Sequence, residues 1–340
     1  MQSFRAGIVG CGNIGGRYDE RGKINGIYTH AGMYKHVKGL ELVCAADTDT
    51  KRLDEFGKYW KVKHLYNDYK VMFRNEKLDI ISIATPDETH YEIILNSLKN
   101  NPPRLIFTEK PLANSIEQAI EVYRKCKEKD VDLVVDYVRR WDENHQRVKK
   151  FIEQGKLGRI QATVVYYVRG LLHNGCQMIN LIQFFFGKII KVQVVGESDM
   201  GSLDGDPSLN MLLTLEDGVQ VYMIAVDQKG YGFSIFEMDI FGLEGRLCLC
   251  EGGQSIELYK ADSDRQFPNF KNLVKANSPW EKSTYGNAMI RAGNEFVSFL
   301  IGESKWLNNG VLDAIDDLCV IESALESARN NNIQTVIKMV

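Results

Sequence analysis

The sequence predicts an α/β protein, in which a doubly wound parallel sheet is followed by an α+β domain on an open-faced, mostly antiparallel sheet. Three observations predict it: apolar runs alternate with amphipathic stretches up to about residue 136, a glycine-rich turn follows the first run, and longer runs of alternating polarity begin after about residue 155. We therefore place one domain at 1–138 and a second at 139–340. The closing helices, near 285–301 and 311–329, are free in this scheme to pack back on the first domain.

The first half contains five apolar runs, which we interpret as strands buried on both faces. They are "FRAGIV", "LELVCAA", "DIISIA", "RLIFTE" and "VDLVVDY", and they are continuous rather than alternating. Between them lie amphipathic stretches such as "SIEQAIEVYRKCKEKD", in which Ser115 is expected to cap a helix. Alternation of strands and helices is typical of a parallel sheet with helices on both faces.

The second half contains longer runs in which apolar and polar residues alternate. They include "RIQATVVYYVRG", "NMLLTLEDGVQVYMIAV" and "FEMDIFGLEGRLCLCEGGQSIELYK", where "EDG" and "EGG" are expected to be hairpin turns. Such alternation predicts a sheet with one covered face and one free face. A free face of that size is a natural surface for dimerisation, so we expect copies of the chain to associate.

Composition and charge exclude several classes of function. The 340 residues carry a formal net charge of −3 and no block of five like charges, so neither nucleic acid nor a membrane is an expected partner. The most apolar stretch, "MINLIQFFFGKIIKVQVVG", is interrupted by polar residues and does not predict a membrane span. The N-terminus shows no signal-peptide pattern. Seven cysteines at irregular spacing predict reduced thiols in the cytoplasm, and no Cys/His spacing predicts a metal site.

A glycine-rich turn, "GIVGCGNIGG", places Gly10, Gly12 and Gly15 directly after the first strand, in the spacing of a dinucleotide-binding turn. The first glycine allows a tight turn, the second lets a pyrophosphate approach the backbone, and the third lets the helix pack on the strand. Asn13 and Ile14 complete the turn, so these five residues are expected to bind the cofactor. The alternative is a glycine-rich turn without a ligand.

An acidic residue, Asp47, ends the second predicted strand and is the expected partner of the adenosine ribose. Its carboxylate would accept hydrogen bonds from the ribose hydroxyls and repel a 2′-phosphate, which predicts NAD rather than NADP. Asp47 lies farther from the glycines than the usual spacing of about 20 residues. We assign the excess to an insert at 17–30, "RYDERGKINGIYTH", which either reaches the substrate or is a surface loop.

The segment "FTEKPLA" places Glu109, Lys110 and Pro111 at the carboxyl end of the fourth predicted strand, where ligands bind in such sheets. A lysine there can hydrogen-bond a substrate hydroxyl and transfer its proton as hydride leaves the same carbon. We expect Glu109 beside it to face the cofactor. Taken alone, a lysine at a strand end is more often a solvated charge.

Together these segments resemble the Gfo/Idh/MocA family of NAD(P)-dependent oxidoreductases, which act on sugars and polyols. The resemblance covers essentially the whole chain and also includes "ISIATPDETHYE", "IEQGKLGRI" and "LDAIDDLCVIESALESARN". It implies a Rossmann domain, an open-faced sheet domain, and dimers or tetramers. It also implies that Lys110 is the catalytic lysine, and that Thr85, Pro86 and His90 line the nicotinamide side of the cofactor.

The chain departs from the family at one helix, within "LLHNGCQMINLIQFFFG". Many members carry Asp-x-x-x-His there, with a substrate-binding aspartate and an acid/base histidine, and these positions fall on His173 and Gln177. A further aspartate position falls on Asn180. An imidazole can take up a proton near neutral pH and an amide cannot, so we expect His173 to act as acid/base and Gln177 to orient a hydroxyl. The alternative is that His173 caps the helix and Gln177 is a buried amide.

Polar and aromatic residues near the predicted strand ends indicate the substrate. Arginines suit carboxylates or phosphates, and aromatic faces suit sugar rings or bases. Some sugar-modifying family members also carry "HNG" at the helix, which adds an asparagine. The candidate substrate contacts are Tyr137, Arg139, Arg140, Trp141, Tyr167, Arg169 and Asn174. Each arginine is equally compatible with a surface ion pair.

These features predict an NAD-dependent oxidoreductase that exchanges a hydroxyl and a ketone on a sugar, a sugar nucleotide or a polyol. Retention of Lys110 favours this function. The alternative is a non-catalytic NAD(P)-binding regulatory or partner protein on the same scaffold, which the missing family histidine favours.

Overall fold

The computed structural model describes residues 3–20, 25–195, 203–227, 235–264, 266–267, 269–280 and 283–337. Contacts divide the chain into two compact units, of which the first comprises residues 1–142 and 285–315 and the second comprises residues 143–284 and 316–340. The chain therefore leaves and re-enters each unit. The domain limits predicted at residues 138 and 139 stay a prediction.

The first unit is built on a sheet whose strands are β1 Phe4–Val9, β2 Leu40–Ala46, β3 His64–Tyr66, β4 Ile80–Ile83, β5 Leu105–Thr108 and β6 Asp132–Val135. All neighbouring strands are parallel, and the order β3-β2-β1-β4-β5-β6 reverses at β1, as in Rossmann folds. The predicted doubly wound sheet is confirmed. The short strand β3 has no counterpart among the five predicted runs, because three residues are too few to give an apolar run.

Helices of the described residues follow the strands of the first unit and continue through the second. In chain order they are α1 Tyr18–Glu20, α2 His30–His36, α3 Thr50–Trp60, α4 Tyr69–Asn75, α5 His90–Ser97, α6 Ile116–Glu128, α7 Glu143–Glu153, α8 Cys176–Phe186, α9 Ala288–Leu300 and α10 Val311–Arg329. The predicted cap of α6 is confirmed, because the side chain of Ser115 accepts a hydrogen bond from the backbone N–H of Gln118 at 3.3 Å.

Aromatic rings fill the core of the first unit. Phe107 on β5, Trp141 and Phe296 on α9 are fully buried, and each ring meets the other two edge to face at centroid distances of 5.0 to 6.1 Å. Edge-to-face pairs add about 0.5–1.5 kcal/mol each beyond the area they bury. Helix α9 is therefore part of the core on which the parallel sheet rests.

The second unit is built on a nine-stranded mixed sheet. Its strands are β7 Ile160–Tyr167, β8 Ile189–Val194, β9 Met211–Leu215, β10 Gln220–Ala225, β11 Phe236–Gly242, β12 Gly245–Cys250, β13 Ser255–Ser263, β14 Lys271–Lys275 and β15 Thr335–Val336. The order is β14-β13-β12-β11-β7-β10-β9-β8-β15, and only β7 and β10 pair in parallel. The predicted mostly antiparallel sheet is confirmed, as are the hairpins at "EDG" and "EGG".

One face of this sheet is more exposed than the other. On β10, Val221 and Met223 are fully buried, whereas Tyr222 and Ile224 between them are 43% and 36% exposed. Tyr222 pairs across the sheet with Val164 and Leu212, which are partly exposed on the same side. We call this side of the sheet the open face. Its polarity pattern follows the alternation of the sequence.

Two further findings concern the whole described chain. Among the described residues, no helix is both long enough and apolar enough to cross a bilayer. All seven cysteines are free thiols, and six of them are buried.

Candidate active site

The turn after β1 depends on two of its glycines for its own shape. Gly10 has φ +96°, and a Cβ added there would lie 2.4 Å from the carbonyl oxygen of Ala84. A Cβ on Gly15 would lie 2.2 Å from the carbonyl oxygen of Gly10. A side chain at Gly10 would push the turn away from the end of β4, and one at Gly15 would push the helical turn away from Gly10. These two glycines therefore hold the turn close to the sheet.

Gly12 is different, because the fold itself does not require it. Its φ of −76° suits any residue, and a Cβ there would meet nothing within 4 Å. A single turn of π-helix, Asn13–Arg17, begins immediately after it. Open space beside the start of a helical turn is where a pyrophosphate would approach. The residues of this turn therefore fit a dinucleotide.

Asp47 follows β2 and is held beside the glycine turn. Its carboxylate accepts hydrogen bonds from the backbone N–H groups of Cys11 at 2.8 Å and Asp49 at 2.9 Å, and it is largely buried. The guanidinium of Arg52, on α3, lies 3.4 Å from both carboxylate oxygens. Sequence reasoning missed Arg52. An arginine at this position is the group that can accommodate a 2′-phosphate, so Asp47 and Arg52 act in opposite directions on cofactor choice.

The predicted insert at 17–30 is partly described, since residues 21–24 lie outside the described residues. In the remainder, the carboxylate of Asp19 accepts hydrogen bonds from the backbone of Tyr28 and Thr29 and from the Thr29 hydroxyl, at 2.6 to 3.3 Å. Thr29 in turn caps α2, whose Gly32 N–H donates to its hydroxyl at 3.0 Å. The insert therefore ends in a capped helix that starts at His30.

Lys110 lies in the turn after β5, and His90 ties this turn to the one after β4. The imidazole of His90 is fully buried, with Nδ1 2.7 Å from the carbonyl oxygen of Pro111 and Nε2 2.9 Å from that of Thr85. The Thr85 hydroxyl accepts a hydrogen bond from Thr89 at 2.7 Å. Thr85, His90 and Lys110 are thus brought together in the first unit. That they, with Pro86, face a nicotinamide stays a prediction.

A buried imidazole and two carboxyl groups lie directly behind the lysine turn. His30 Nε2 is 3.2 Å from Glu109 Oε1 and 3.8 Å from Asp136 Oδ2, and the ligand-type atoms of the three residues all lie within 4.8 Å of one another. We call His30, Glu109 and Asp136 the His–Glu–Asp cluster. Sequence reasoning missed His30 and Asp136. Asp136 directly follows β6, so its place at the same sheet edge as Glu109 could have been found.

The two carboxyl groups of the cluster have opposite pKa shifts. Burial raises the pKa of Glu109, but the hydrogen bond and charge of His30, followed by the charge of Lys110, outweigh it and leave the pKa of Glu109 below its ordinary value. Burial, followed by the neighbouring Glu109 carboxylate, raises the pKa of Asp136 well above its ordinary value. Of the two carboxyl groups, Glu109 is therefore the one that ionises more readily, and Asp136 is the one that holds its proton more strongly.

The aromatic and arginine candidates of the first unit are largely interior. Trp141 donates from its indole nitrogen to Glu295 at 3.2 Å, in addition to its ring contacts in the core. Arg140 forms an ion pair with Asp313 at 3.1 Å. The guanidinium carbon of Arg139 lies 5.5 Å from the ring centroid of Tyr285. Tyr137 and both arginines are buried. These contacts give Trp141 a packing role, and they place Arg139 beside an aromatic face.

In the second unit, an aspartate holds the segment that carries His173. A turn of π-helix, Gly170–Gly175, precedes α8, and the carboxylate of Asp206 accepts hydrogen bonds at 2.8 Å from the backbone N–H groups of Leu172 and His173. The Ser208 hydroxyl accepts another from Gly170 at 3.0 Å. Asp206 therefore caps this turn, and the alternative in which His173 is the cap is not supported. Sequence reasoning missed Asp206, which lies 33 residues away.

The polar residues of this segment fall into two groups. His173 and Gln177 are both partly exposed. Asn180, one turn further on, is buried and donates its amide to Asp317 Oδ2 at 2.7 Å, while Gln183 donates to the other oxygen at 2.9 Å. The family's last acidic position, at Asn180, has thus become part of the interior. The first two positions keep polar side chains at the surface of the second unit.

Three other candidates surround His173 within the chain. Arg169 has φ +64°, a strained value for a residue with a side chain, and its Nε has no hydrogen-bond acceptor among the described residues. The Nδ2 of buried Asn174 likewise has none within the described part of the chain. Tyr167 is fully buried, and its hydroxyl both accepts from the N–H of Leu209 at 2.7 Å and donates to its carbonyl at 2.9 Å. Tyr167 therefore has a packing role.

Comparisons with known proteins agree with this fold. Residues 4–137 match the family model described as "Oxidoreductase family, NAD-binding Rossmann fold". The chain is 27% identical to a D-apiose dehydrogenase of Rhizobium rhizogenes, over 97% of this chain and 96% of the relative. It is 32% identical to an inositol 2-dehydrogenase of Rubrobacter xylanophilus, over 46% of this chain and 42% of the relative. The WlbA dehydrogenase of Bordetella pertussis, solved with NADH and UDP-GlcNAcA, matches with a TM-score of 0.81 at 18% identity, over 100% of this chain and 99% of that chain.

Proposed function

Because residues 4–137 belong to the Gfo/Idh/MocA oxidoreductase family, we propose that the chain is an NAD-dependent oxidoreductase that exchanges a hydroxyl and a ketone on a sugar, a sugar nucleotide or a polyol. The observation that carries this proposal is the lysine turn. Lys110 follows β5, its turn is tied to the neighbouring strand end by His90, and an ionised carboxylate backs it. A binding protein without chemistry has no need of that arrangement.

The proposed chemistry assigns one task to each unit. The bound cofactor would accept hydride as NAD⁺ when the hydroxyl is oxidised and donate it as NADH when the ketone is reduced. Lys110 of the first unit exchanges a proton with the hydroxyl oxygen of the substrate, and His173 of the second unit is the other group that can take up a proton. Gln177 can donate and accept hydrogen bonds but cannot act as a base, so it orients a hydroxyl.

The substrate class follows from hydrogen-bonding capacity and from the relatives. His173 and Asn174 lie in the π-helical turn, Arg169 directly precedes it, and Gln177 lies in the first turn of α8. Their polar groups suit a ligand with several hydroxyls, and Arg169 also suits an anionic group. Relatives named as D-apiose and inositol dehydrogenases support a sugar or polyol. We assign no substrate contact to Trp141 and Tyr167, because their polar atoms are engaged in the interior.

Asp47 supports NAD as the cofactor. The glycine turn, Glu109 and the Thr85–Pro86 segment keep their predicted roles as cofactor contacts in this proposal. The carboxylate of Asp47 accepts hydrogen bonds from the backbone N–H groups of Cys11, in the glycine turn, and of Asp49, and it would receive the ribose hydroxyls. NADP is disfavoured, because its 2′-phosphate would meet this charge. The seven free cysteines support the predicted cytoplasmic location.

The open face supports a homodimer or homotetramer. Tyr222, Ile224 and their cross-strand neighbours form an apolar area on a nine-stranded sheet, and burial of such an area stabilises association. Light scattering at micromolar concentration should give at least twice the mass of one chain. Tyr222→Glu should shift the protein toward the monomer, and a wild-type monomer would contradict the assignment.

The proposed function is tested by incubating the protein with NAD or NADP and a panel of sugars, sugar nucleotides and polyols. Reduction of the cofactor is followed by its absorbance, with Lys110→Ala as the control. Turnover by the wild type that depends on Lys110 would support the oxidoreductase. The second candidate, a non-catalytic NAD(P)-binding regulatory protein, is favoured by Gln177 in place of the family's histidine. It would show tight cofactor binding and no turnover with any member of the panel.

A further inference from the structure

A buried chain of hydrogen bonds leads from the interior of the first unit to the lysine turn. The Tyr34 hydroxyl lies 2.7 Å from Ser82 Oγ, which lies 2.9 Å from His30 Nδ1, and His30 Nε2 lies 3.2 Å from Glu109 Oε1. Tyr34, Ser82 and His30 are all almost completely buried. Buried polar chains fix one arrangement when every member has a partner. The imidazole of His30 is thus held in place from behind, by two residues that touch no ligand site.

Two carboxyl groups compete for the imidazole that this chain holds. His30 Nε2 is nearer to Glu109, at 3.2 Å, than to Asp136, at 3.8 Å. Two carboxyl groups that share a buried site cannot both be ionised, so one of them keeps a proton. The nearer imidazole selects Glu109 as the ionised member. Asp136 is then the protonated member and donates its O–H to Glu109, in agreement with their opposite pKa shifts.

We infer that His30 is a positioning residue for Lys110, and that it acts by fixing the negative charge of the carboxyl pair on Glu109, next to the lysine, rather than on Asp136. The inference rests on the proposed role of Lys110. A carboxylate beside an ammonium favours the charged lysine by Coulomb attraction. The position of this charge therefore affects how readily Lys110 exchanges a proton with a substrate hydroxyl.

Other charged and titratable groups also face the cluster, and they define what must stay constant in a test. His90, from α5, and Lys110 face Glu109. Tyr285 lies near both carboxyl groups, and Arg139 lies over its ring. None of these groups is altered by substitutions at residues 30, 109 and 136. A change in pH dependence caused by such substitutions therefore reports on the cluster itself.

The test compares variants of the two acids in the pH dependence of kcat/KM for alcohol oxidation. Glu109→Gln removes the charge beside Lys110 and should move the inflection to lower pH by about one pH unit or more. Asp136→Asn replaces a protonated acid by another neutral donor and should move the inflection much less. Glu41→Gln, on the exposed edge of β2, is the control for the same change of charge at a distance. Equal shifts for Glu109→Gln and Asp136→Asn, or a larger one for Asp136→Asn, would overturn the inference.

The role of His30 is tested by two substitutions that separate positioning from packing. His30→Ala should lower kcat by about 10- to 100-fold with a small change in KM, and should shift the inflection in the same direction as Glu109→Gln. His30→Gln keeps a donor toward Glu109 and should restore much of the loss. A merely structural role would instead lower the folded fraction and leave the inflection of the remaining activity unchanged, which would contradict the inference.

A second measurement does not depend on finding a substrate. The pKa of Asp136 is raised in the folded state, so between its ordinary value and its raised value the folded protein binds one more proton than the unfolded chain. The free energy of unfolding should therefore fall as the pH rises through that window, and Asp136→Asn should remove this slope. If the pH dependence of the free energy of unfolding disappeared in Glu109→Gln and persisted in Asp136→Asn, the proton would lie on Glu109, which would contradict the inference. Absence of turnover with every substrate would contradict the proposed function. It would not affect the pH dependence of unfolding, which tests the proton on Asp136 independently.

The same measurement distinguishes a shared proton from a bound cation. Addition of magnesium or zinc should change the Tm of the wild type by no more than it changes the Tm of Asp136→Asn. A metal-dependent rise in the Tm of the wild type that Asp136→Asn abolishes would mean that the cluster binds a cation, and it would overturn the proton-sharing account.

Discussion

The lysine turn of the first unit and the His173 segment of the second unit are held in place by different kinds of contact. Lys110 is backed by the carboxyl groups of Glu109 and Asp136 and by the buried imidazole of His30, and its turn is held by His90. The His173 segment is held mainly by its backbone, through Asp206. In the first unit, buried side chains place charge next to Lys110. In the second unit, hydrogen bonds to the backbone hold the segment that carries His173.

This difference agrees with where the chain keeps and loses the residues of the family. The glycine turn and the "EKP" segment are kept, and the helix in the second unit has His173, Gln177 and Asn180 in place of ionisable family residues. Asn180 is buried and hydrogen-bonded to Asp317, whereas Gln177 is partly exposed. A segment held through its backbone tolerates exchange of its partly exposed side chains, those of His173 and Gln177, with little loss of its shape. The charge-fixed lysine turn does not.

The largest expected effect belongs to Lys110. Lys110→Ala should lower kcat by about 10⁴-fold, the upper range for a general acid–base group, while the affinity for NAD stays within twofold because the lysine lies away from the glycine turn. Steady-state kinetics and cofactor fluorescence titration measure the two quantities. Lys99→Ala, an exposed lysine of the same unit, is the control. An active Lys110→Ala variant would remove the distinction between the two regions.

His173 should matter less than Lys110 and should act through pH. His173→Ala should lower kcat by about 10²- to 10³-fold and erase any inflection of the rate between about pH 6 and 8, because the variant has lost a side chain of the kind that exchanges protons near neutral pH. Added imidazole should recover part of the rate. A uniform loss at every pH, without rescue, would mean that His173 only shapes the segment.

Gln177 offers the sharpest comparison with the family. Gln177→Ala should cost about 1–3 kcal/mol in transition-state stabilisation, the range for loss of a hydrogen-bond partner. Gln177→His restores the family's residue, and turnover at pH 7 measures its effect. If the segment tolerates exchange as its backbone anchoring suggests, this variant should be at least as active as the wild type. A loss larger than that of Gln177→Ala would show a site organised around the amide.

The smallest expected effect concerns the cofactor. The wild type should bind NAD at least about tenfold more tightly than NADP, a difference of about 1.4 kcal/mol. Asp47→Ala should reduce or reverse this preference, because Arg52 then faces the 2′-phosphate without a competing carboxylate. Asp47→Ala combined with Arg52→Ala should bind the two cofactors about equally. Fluorescence titration of both cofactors decides, and equal affinities in the wild type would remove the role assigned to Asp47.

Local pattern was sufficient for the fold and for the shape of the glycine turn. Apolar runs, glycine spacing and the Ser115 cap depend on neighbours in sequence, and each is confirmed. The supports of the two sites depend on distant residues. His30 is separated from Glu109 by 79 positions and Asn180 from Asp317 by 137, and no local pattern marks such pairs. Among these residues Asp136 carried a usable signal, since it directly follows β6, and Glu109 directly follows the neighbouring strand β5.

Aromatic residues at strand ends were the weakest guide to function. Trp141 and Tyr167 were predicted to contact substrate because an aromatic face and a polar tip suit a sugar. The same two properties suit an interior position where the tip finds a partner, and both residues have one, in Glu295 and in the backbone of Leu209. Sequence alone does not distinguish the two uses.

The central claim is that this chain moves hydride with the help of Lys110, and isotope transfer tests it most directly. A substrate found in the panel is prepared with deuterium on the carbon that bears the reacting hydroxyl and is incubated with NAD. The wild type should transfer deuterium to the cofactor, as seen by mass spectrometry, and Lys110→Ala should bind NAD without transferring it. Transfer by Lys110→Ala at the wild-type rate, or bound NAD that never gains deuterium in the wild type, would contradict the account.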